Sequence, residues 1–217
     1  MIIYLCNTKK YKESMIDMNT RVELKFKAKE QIKGNIAMLF LCLLVTSAIT
    51  VALNFIPIAG QIASAIITPV LTYGLVKVYY GLSKGEPVQV EKVFDGFSNF
   101  LNIFLANFLV GLFTILWSLL LVVPGIIKAY SYSMVNYILC DNPEMSAMDA
   151  IKESQRIMQG HKMDLFVLQL SFILWILMGI VTLGIGYIYV IPYMQQTLVN
   201  FYNSIKEPQE EKIQYNL

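Results

Sequence analysis

Three long stretches of the chain carry no charged residue: Asn35 to Val76, Gly96 to Ile127, and Leu165 to Ile205. Ionised side chains are costly in hydrocarbon, so their positions mark the segments that stay in water. A helix needs about 20 apolar residues to cross the roughly 30 Å hydrocarbon layer, and each stretch is long enough for two. The middle one gains its second helix by running past Lys128 to Cys140. Turn-forming residues fall midway in each stretch: Pro57 with Gly60, Pro124 with Gly125, and Gly184 with Gly186. Pro124 also suits the first turn of a fourth helix, where its missing N–H costs nothing. The pattern predicts an all-α polytopic membrane protein with six transmembrane helices.

The same stretches are marked by a repeat, which decides architecture before any single motif does. Gly34, Gly96 and Gly160, 62 and 64 residues apart, each close a charged, helix-like segment ahead of an apolar stretch. Late in the stretches YGLVKVY, YSMVNYI and QTLVNFY align on Val76, Val135 and Val199, 59 and 64 residues apart. Each unit reads as amphipathic helix, glycine, outward helix, tight corner, inward helix. All three enter from the same side, which makes them tandem parallel hairpin repeats about an axis along the membrane normal. Their expected extents are about 20–83, 84–141 and 142–205, within one membrane domain over 20–205. Tails are expected at 1–19, with no interpretable pattern over Met1 to Ser14 and alternative starts at Met15 and Met18, and at 206–217.

The amphipathic segments have their own signals. Thr20 with Glu23, and Ser146 with Asp149, have capping-box spacing. In the third segment Met148, Ile151, Ser154 and Met158 share one face, opposite Asp149, Lys152, Glu153 and Arg156. Such helices are expected to lie flat on the inner membrane surface. The middle copy is expected over Val88 to Phe97.

Charge then fixes orientation. Fifteen of the 17 Lys and Arg residues lie ahead of Gly34, in the two long connections or after Ile205, and none lies in a tight corner. Positively charged loops stay on the cytoplasmic side, which places both termini and both long connections there. Composition agrees, at 56% hydrophobic and 15% charged, against about 45–50% and about 25% in soluble domains. A net charge of +2 gives no reason to propose a nucleic-acid partner. Cys6, Cys42 and Cys140 fit neither a disulfide framework nor a zinc pattern. The run from Ile36 follows a long charged leader and reads as an uncleaved first span, not a signal peptide.

Candidate chemistry lies on the inward helices, which are richer in polar and tyrosyl groups than the outward ones. Repeat alignment puts Tyr73 and Lys77, Tyr132 and Asn136, and Gln196 and Asn200 at equivalent places, each pair spaced i, i+4 on one helix face. Around a threefold axis these six form a polar ring, the candidate contact site for a ligand or ion. The bland readings stand beside it: Lys77 is close enough to its helix end to snorkel, and the amides serve equally as interhelical glue. Lys128 and Asp164 read as interfacial residues on opposite sides of the membrane. His161 is the only histidine and makes a poor metal site. Trp117, Trp175, Tyr187 and Tyr189 suit packing and an aromatic belt. The sequence carries no phosphate loop, Gly-x-Ser-x-Gly elbow, His-Glu-x-x-His or dinucleotide fingerprint. No cofactor, metal or catalytic residue is therefore expected.

From Val122 the run VVPGIIKAYSYSMVNYILCDNPEMSAMDAIKESQRIMQGHKMDLF, then LSFILWILMGIVTLGIGYIYVIPYMQQTLVNFY, resembles the bacterial membrane-protein family of domain of unknown function 975. RVELKFKAKEQIKGN, from Arg21 to Asn35, is similar to that family's usual beginning. The more specific elements are Asn142-Pro143-Glu144, the segment Arg156 to Lys162, and Leu183-Gly184-Ile185-Gly186. The resemblance implies a small multi-pass protein of the plasma membrane, mostly of Gram-positive bacteria, with no established activity and so no catalytic residues to transfer. The extension ahead of Met15 is the departure.

The leading expectation is a non-enzymatic bundle that binds or moves a small amphipathic or lipidic molecule through its polar interior, with the lipid bilayer as its surroundings. An alternative is a membrane-anchored interaction or immunity protein whose amphipathic helices dock a protein partner of unknown identity. A membrane-embedded lipid enzyme is least favoured, since no acid–base or nucleophilic constellation falls in the bilayer region.

Overall fold

A computed structural model of the chain describes residues 21–214, with side chains described to residue 206. Thr20, Cys6 and the tail expected over 1–19 lie outside the described residues, so the first capping box does too. The described residues are all-helical, without a strand. Helix α1 covers residues 21–32. It is followed by α2 (Ile36–Asn54), α3 (Ala59–Ser83), a 3-10 helix (Val90–Asn99), α4 (Phe100–Leu120) and α5 (Val122–Tyr132). Then come α6 (Val135–Asp141), α7 (Ala147–Ile157), α8 (Lys162–Leu170), α9 (Ile173–Val181) and α10 (Tyr187–Gln214).

Four helical segments among the described residues are long and apolar enough to cross a membrane: Ile36–Asn54, Ala59–Ser83, Val90–Leu120 and Lys162–Val181. The 19 residues of α2 extend about 28 Å at 1.5 Å per residue, close to the hydrocarbon thickness. The two other segments expected to cross differ for identifiable reasons. The fourth is divided at Ser133 and Met134 into α5 and α6. The sixth is one helix, α10, whose apolar run is interrupted by Gln195, Gln196, Asn200 and Asn203 and which continues through the expected C-terminal tail to Gln214.

The 3-10 helix settles on α3, α7 on the α5–α6 pair and α1 on α10. The 3-10 helix packs on α3 so closely that a Cβ on Gly74 would lie 1.8 Å from the Val93 carbonyl oxygen, and one on Gly96 would lie 2.5 Å from that of Val70. Helix α7 meets the α5–α6 break through buried Ser154, whose hydroxyl donates to the Ser131 carbonyl at 2.8 Å and accepts from the Met134 N–H at 3.2 Å. Helix α1 meets α10, where Gln196 donates to Gln31 at 3.0 Å and Asn200 donates to the Leu24 carbonyl at 3.3 Å. The three glycines that close the charged segments thus have two physical origins. Gly34 and Gly160 take left-handed backbone conformations, at φ +84° and +91°, that end α1 and α7. Gly96 instead makes room for a neighbouring backbone.

The amphipathic face of α7 is spent on this packing. Ile151, Ser154 and Met158 are buried within the bundle, and of that face Met148 alone is exposed. Ser146 caps α7 as its spacing predicts: the hydroxyl accepts from the Asp149 N–H and donates to the Asp149 carboxylate at 2.7 Å, holding that carboxyl below its usual range. At the opposite end of the molecule the corners expose apolar side chains, among them Phe55, Leu119 and Leu183. There Pro124 sits in the first turn of α5, and Lys128 lies 5.0 Å from the ring centre of Trp117. Midway along the Lys162–Val181 segment α8 and α9 are separated at Ser171 and Phe172, where the Lys25 ammonium bonds the Ser171 carbonyl at 3.3 Å and lies over the Phe172 ring at 4.3 Å. Burial lowers the pKa of that ammonium.

Candidate functional site

The ends of α3 and α6 meet α10 at one carboxylate. Asp141, the last residue of α6, has a side chain only 9% exposed and accepts hydrogen bonds from Lys206 on α10 and Tyr80 on α3. Tyr202 donates to the oxygen that Lys206 bonds, at 3.3 Å, and the Lys84 ammonium lies 3.8 Å from the other. Burial works to raise the Asp141 pKa. The hydrogen bonds from Lys206 and Tyr80, with the fields of both lysines, outweigh it and hold the carboxyl below its usual range. Aromatic rings wall the junction, with Tyr202 6.2 Å from Tyr80 and 5.7 Å from Tyr137 between ring centres. A cleft of about 80 Å³ opens beside it, lined by Asp141, Lys206, Glu153, Arg156 and neighbouring apolar groups. Arg156 is bonded to Glu153 at 2.7 Å.

Sequence reading did not single out Asp141, although a signal was present. Lys84, Asp141 and Lys206 are each the first charge after the polar-ring position or run that precedes them on an inward segment, and one of the three has the opposite sign. The packing of α3 and α6 against α10 brings those charges together.

The six candidate ring residues lie deeper on the same inward segments, and each has partners outside the set. Lys77 pairs with Asp95 of the 3-10 helix at 2.9 Å, both about one-third exposed. Tyr73 is buried and donates to the Leu139 carbonyl at 3.3 Å. Tyr132 is buried with its ring centre 6.4 Å from that of Phe113. Asn136 and Asn107 exchange two amide hydrogen bonds, at 2.9 and 3.3 Å. Gln196 and Asn200, 0% and 2% exposed, spend their amide N–H groups on Gln31 and the Leu24 carbonyl. The partners Gln31, Asp95 and Asn107 were invisible to the repeat alignment because they occupy a different position in each unit.

Two acceptors remain. Gln196 Oε1 and Asn200 Oδ1, one turn apart on α10, are buried and have no hydrogen-bond partner among the described residues; the Tyr79 hydroxyl shares this condition. Elsewhere, a cleft of about 200 Å³ lies where α1, the start of α8 and the end of α10 converge. His161 there is 3.1 Å from Asp164 through Nδ1. A groove of about 300 Å³ between α2 and α3 is lined by hydroxyl side chains. Those of Thr46, Thr50 and Thr72 donate to carbonyls of their own helices, as is usual in apolar surroundings. No group of three or more metal-ligating side chains occurs among the described residues.

The fold and its polar junctions define an all-helical protein with helices suited to a membrane and buried polar groups between them. The chain belongs to the family described as "Protein of unknown function (DUF975)", which matches it over residues 18–131 and 119–209. No curated protein and no solved structure matches it.

Proposed function

We propose that this chain is a non-enzymatic membrane-embedded bundle of six crossing segments that binds or moves a small amphipathic or lipidic molecule. Three tandem hairpins build it, each led by a short helix, with both termini and both long connections on the cytoplasmic side of the plasma membrane. The distribution of Lys and Arg supports the orientation. The cyclic order in which α1, the 3-10 helix and α7 rest on α10, α3 and α5–α6 supports the threefold plan. The fourth and sixth crossings are α5–α6 and α10, whose polar groups turn toward neighbouring helices rather than lipid.

The observation that carries the reading is the pair of buried acceptors on α10, Gln196 Oε1 and Asn200 Oδ1. An unmet acceptor in such surroundings costs about 1–3 kcal/mol, so a donor from outside the chain gains affinity by meeting it. Lys77, Asn136, Tyr73 and Tyr132 serve on this reading to hold the interior in place around that pair.

The test is native mass spectrometry of the detergent-purified chain, compared with the Gln196→Met, Asn200→Leu double variant. Retained lipid or amphiphile adducts are expected on the unaltered chain and largely lost from the variant. Equal retention by both overturns the reading. The rival docking role has less surface to work with, because Ile151 and Met158 face the bundle.

A further inference from the structure

The segment Val90–Leu120 is long and apolar enough to cross a membrane, yet the 21 residues of α4 already extend about 31 Å, the hydrocarbon thickness. The 3-10 helix ahead of α4 is therefore surplus to a crossing. It runs alongside α3, with Val93 against Gly74 and Gly96 against Val70. With three residues per turn, side chains three apart stand in line, so this helix carries three stripes. Val90, Val93 and Gly96 form the first, and Val93 and Gly96 are buried on α3. Lys92, Asp95 and Ser98 form the second. Its charges are paired, Lys92 with Glu86 at 2.6 Å and Asp95 with Lys77 at 2.9 Å. The third carries Phe94 and Phe97, which are 42% and 43% exposed.

The third stripe continues past the end of the 3-10 helix. Phe94, Phe97, Phe100, Phe104 and Phe108 form one ladder of neighbouring rings, with centres 6.4, 6.3, 6.0 and 6.0 Å apart in order. The ladder keeps to one line because its spacing changes from three residues to four where the chain passes from 3-10 to α geometry. Its far end, Phe108, is exposed on α4, which also exposes Leu101, Leu105 and Leu112. Phe94 and Phe97 thus prolong the apolar face of a membrane-crossing helix. Burial along α3 marks the level at which contact with lipid ends. From Ala59 to Pro69 Gly60 alone is buried, whereas Val70 begins a mostly buried run that reaches Leu82. Gly96 sits against Val70, which puts Phe97 at that boundary and Phe94 one turn, about 6 Å, nearer the connection. Half-exposed apolar rings on a helix with a polar stripe suit the zone between lipid headgroups and acyl chains.

We propose that the 3-10 helix is an interfacial wedge: Phe94 and Phe97 enter the headgroup–acyl boundary of the leaflet on the side of the long connections, and the bilayer itself is the partner of this surface. The wedge presupposes that α4 crosses the membrane, as in the reading above, and adds a peripheral contact to it. Because Val93 and Asp95 of the same helix grip α3, the wedge ties α3 to that leaflet.

Gln89→Cys, Phe94→Cys, Phe97→Cys and Phe108→Cys test it, each in the full chain with its native cysteines replaced by alanine. Each variant is labelled with a nitroxide and reconstituted in vesicles of phosphatidylglycerol and phosphatidylethanolamine. Power saturation then compares collisions with oxygen, which concentrates in hydrocarbon, and with a water-soluble nickel chelate. Labels at 94 and 97 are expected to favour oxygen, with 97 about 6 Å deeper than 94 and 108 deeper still. The label at 89 is expected to favour nickel. Nickel access at 94 and 97 equal to that at 89, with 108 still in hydrocarbon, overturns the wedge and leaves the crossing standing. Nickel access at 108 as well overturns both. Labels at 94 and 97 shielded from both reagents mean a protein cover, a second copy where spin–spin broadening accompanies the shielding, and overturn the bilayer as partner. A second measurement keeps the native cysteines and an aromatic ring in place. In a chain carrying Trp117→Phe and Trp175→Phe, the fluorescence of Phe97→Trp is expected to be quenched by lipids brominated near the headgroup end of the acyl chain. Emission unaffected by those lipids overturns the wedge.

Discussion

Lys206 on α10 donates to the carboxylate of Asp141 at the end of α6, joining two segments that are 65 residues apart in sequence. Tyr80 brings α3 to the same carboxylate, so one side chain ties α3, α6 and α10 together. Asp141→Asn keeps the shape and removes the charge. It is expected to lower stability by about 2–3 kcal/mol, the value of hydrogen bonds to a charged group, seen as a lower Tm in detergent. Asp141→Glu should recover little, because the longer stem displaces the carboxylate from three fixed partners.

The pH dependence of this junction has a definite sign. The Asp141 pKa is held below its usual range, so its stabilising contribution is complete above the ordinary aspartate value of about 3.9. It is lost as pH falls through the lower folded value. Unfolding midpoints measured from pH 7 down to pH 3 should therefore fall for the unaltered chain from about pH 4 downward. The Asp141→Asn variant should lack that increment.

Gly74 permits the contact between α3 and the 3-10 helix. Gly74→Ala would put its Cβ against the Val93 carbonyl, a rigid backbone atom, and is expected to cost at least about 1–3 kcal/mol by overpacking. Gly111→Ala is the control, since a Cβ there meets nothing within 4 Å. It should be neutral or stabilising by up to about 1 kcal/mol. Equal Tm values for the two variants would remove Gly74 from this role.

Ser154 satisfies backbone groups on both sides of the α5–α6 break. Ser154→Ala orphans the Ser131 carbonyl and the Met134 N–H and is expected to cost about 1–3 kcal/mol. Ser146→Ala removes the α7 cap and should cost about 1 kcal/mol. Thermal denaturation of the two variants should rank them in that order.

Topology is open to direct measurement. In a chain with its native cysteines replaced, Glu86→Cys in the first long connection should react with an impermeant thiol reagent in inside-out vesicles alone. Leu183→Cys, in a corner where the side chain is 94% exposed, should react from the outside of intact cells. Labelling of position 86 from outside would end the proposed orientation and, with it, the parallel hairpins.

Much of the architecture is a local matter, which is why it is legible in the residues. Charge-free runs, the turn residues at Pro57, Pro124 and Gly184, and the Ser146 cap depend on solvation and on backbone conformation within a few positions. They determine that the chain is helical, which helices are apolar enough for a membrane, and where the corners fall. Tertiary structure decided the rest. The spacing of Ile151 and Met158 defines a face, but only the position of α5–α6 turns that face inward instead of onto a surface. Sequence alignment sets Lys77, Asn136 and Asn200 side by side, yet Asp95, Asn107 and the Leu24 carbonyl are partners that the approach of separate helices selects. Asp141 meets Lys84 and Lys206 because the ends of α3 and α6 pack beside α10. Hydrogen bonds and ion pairs act over a few ångströms, so distant residues acquire them only when packing brings them that close.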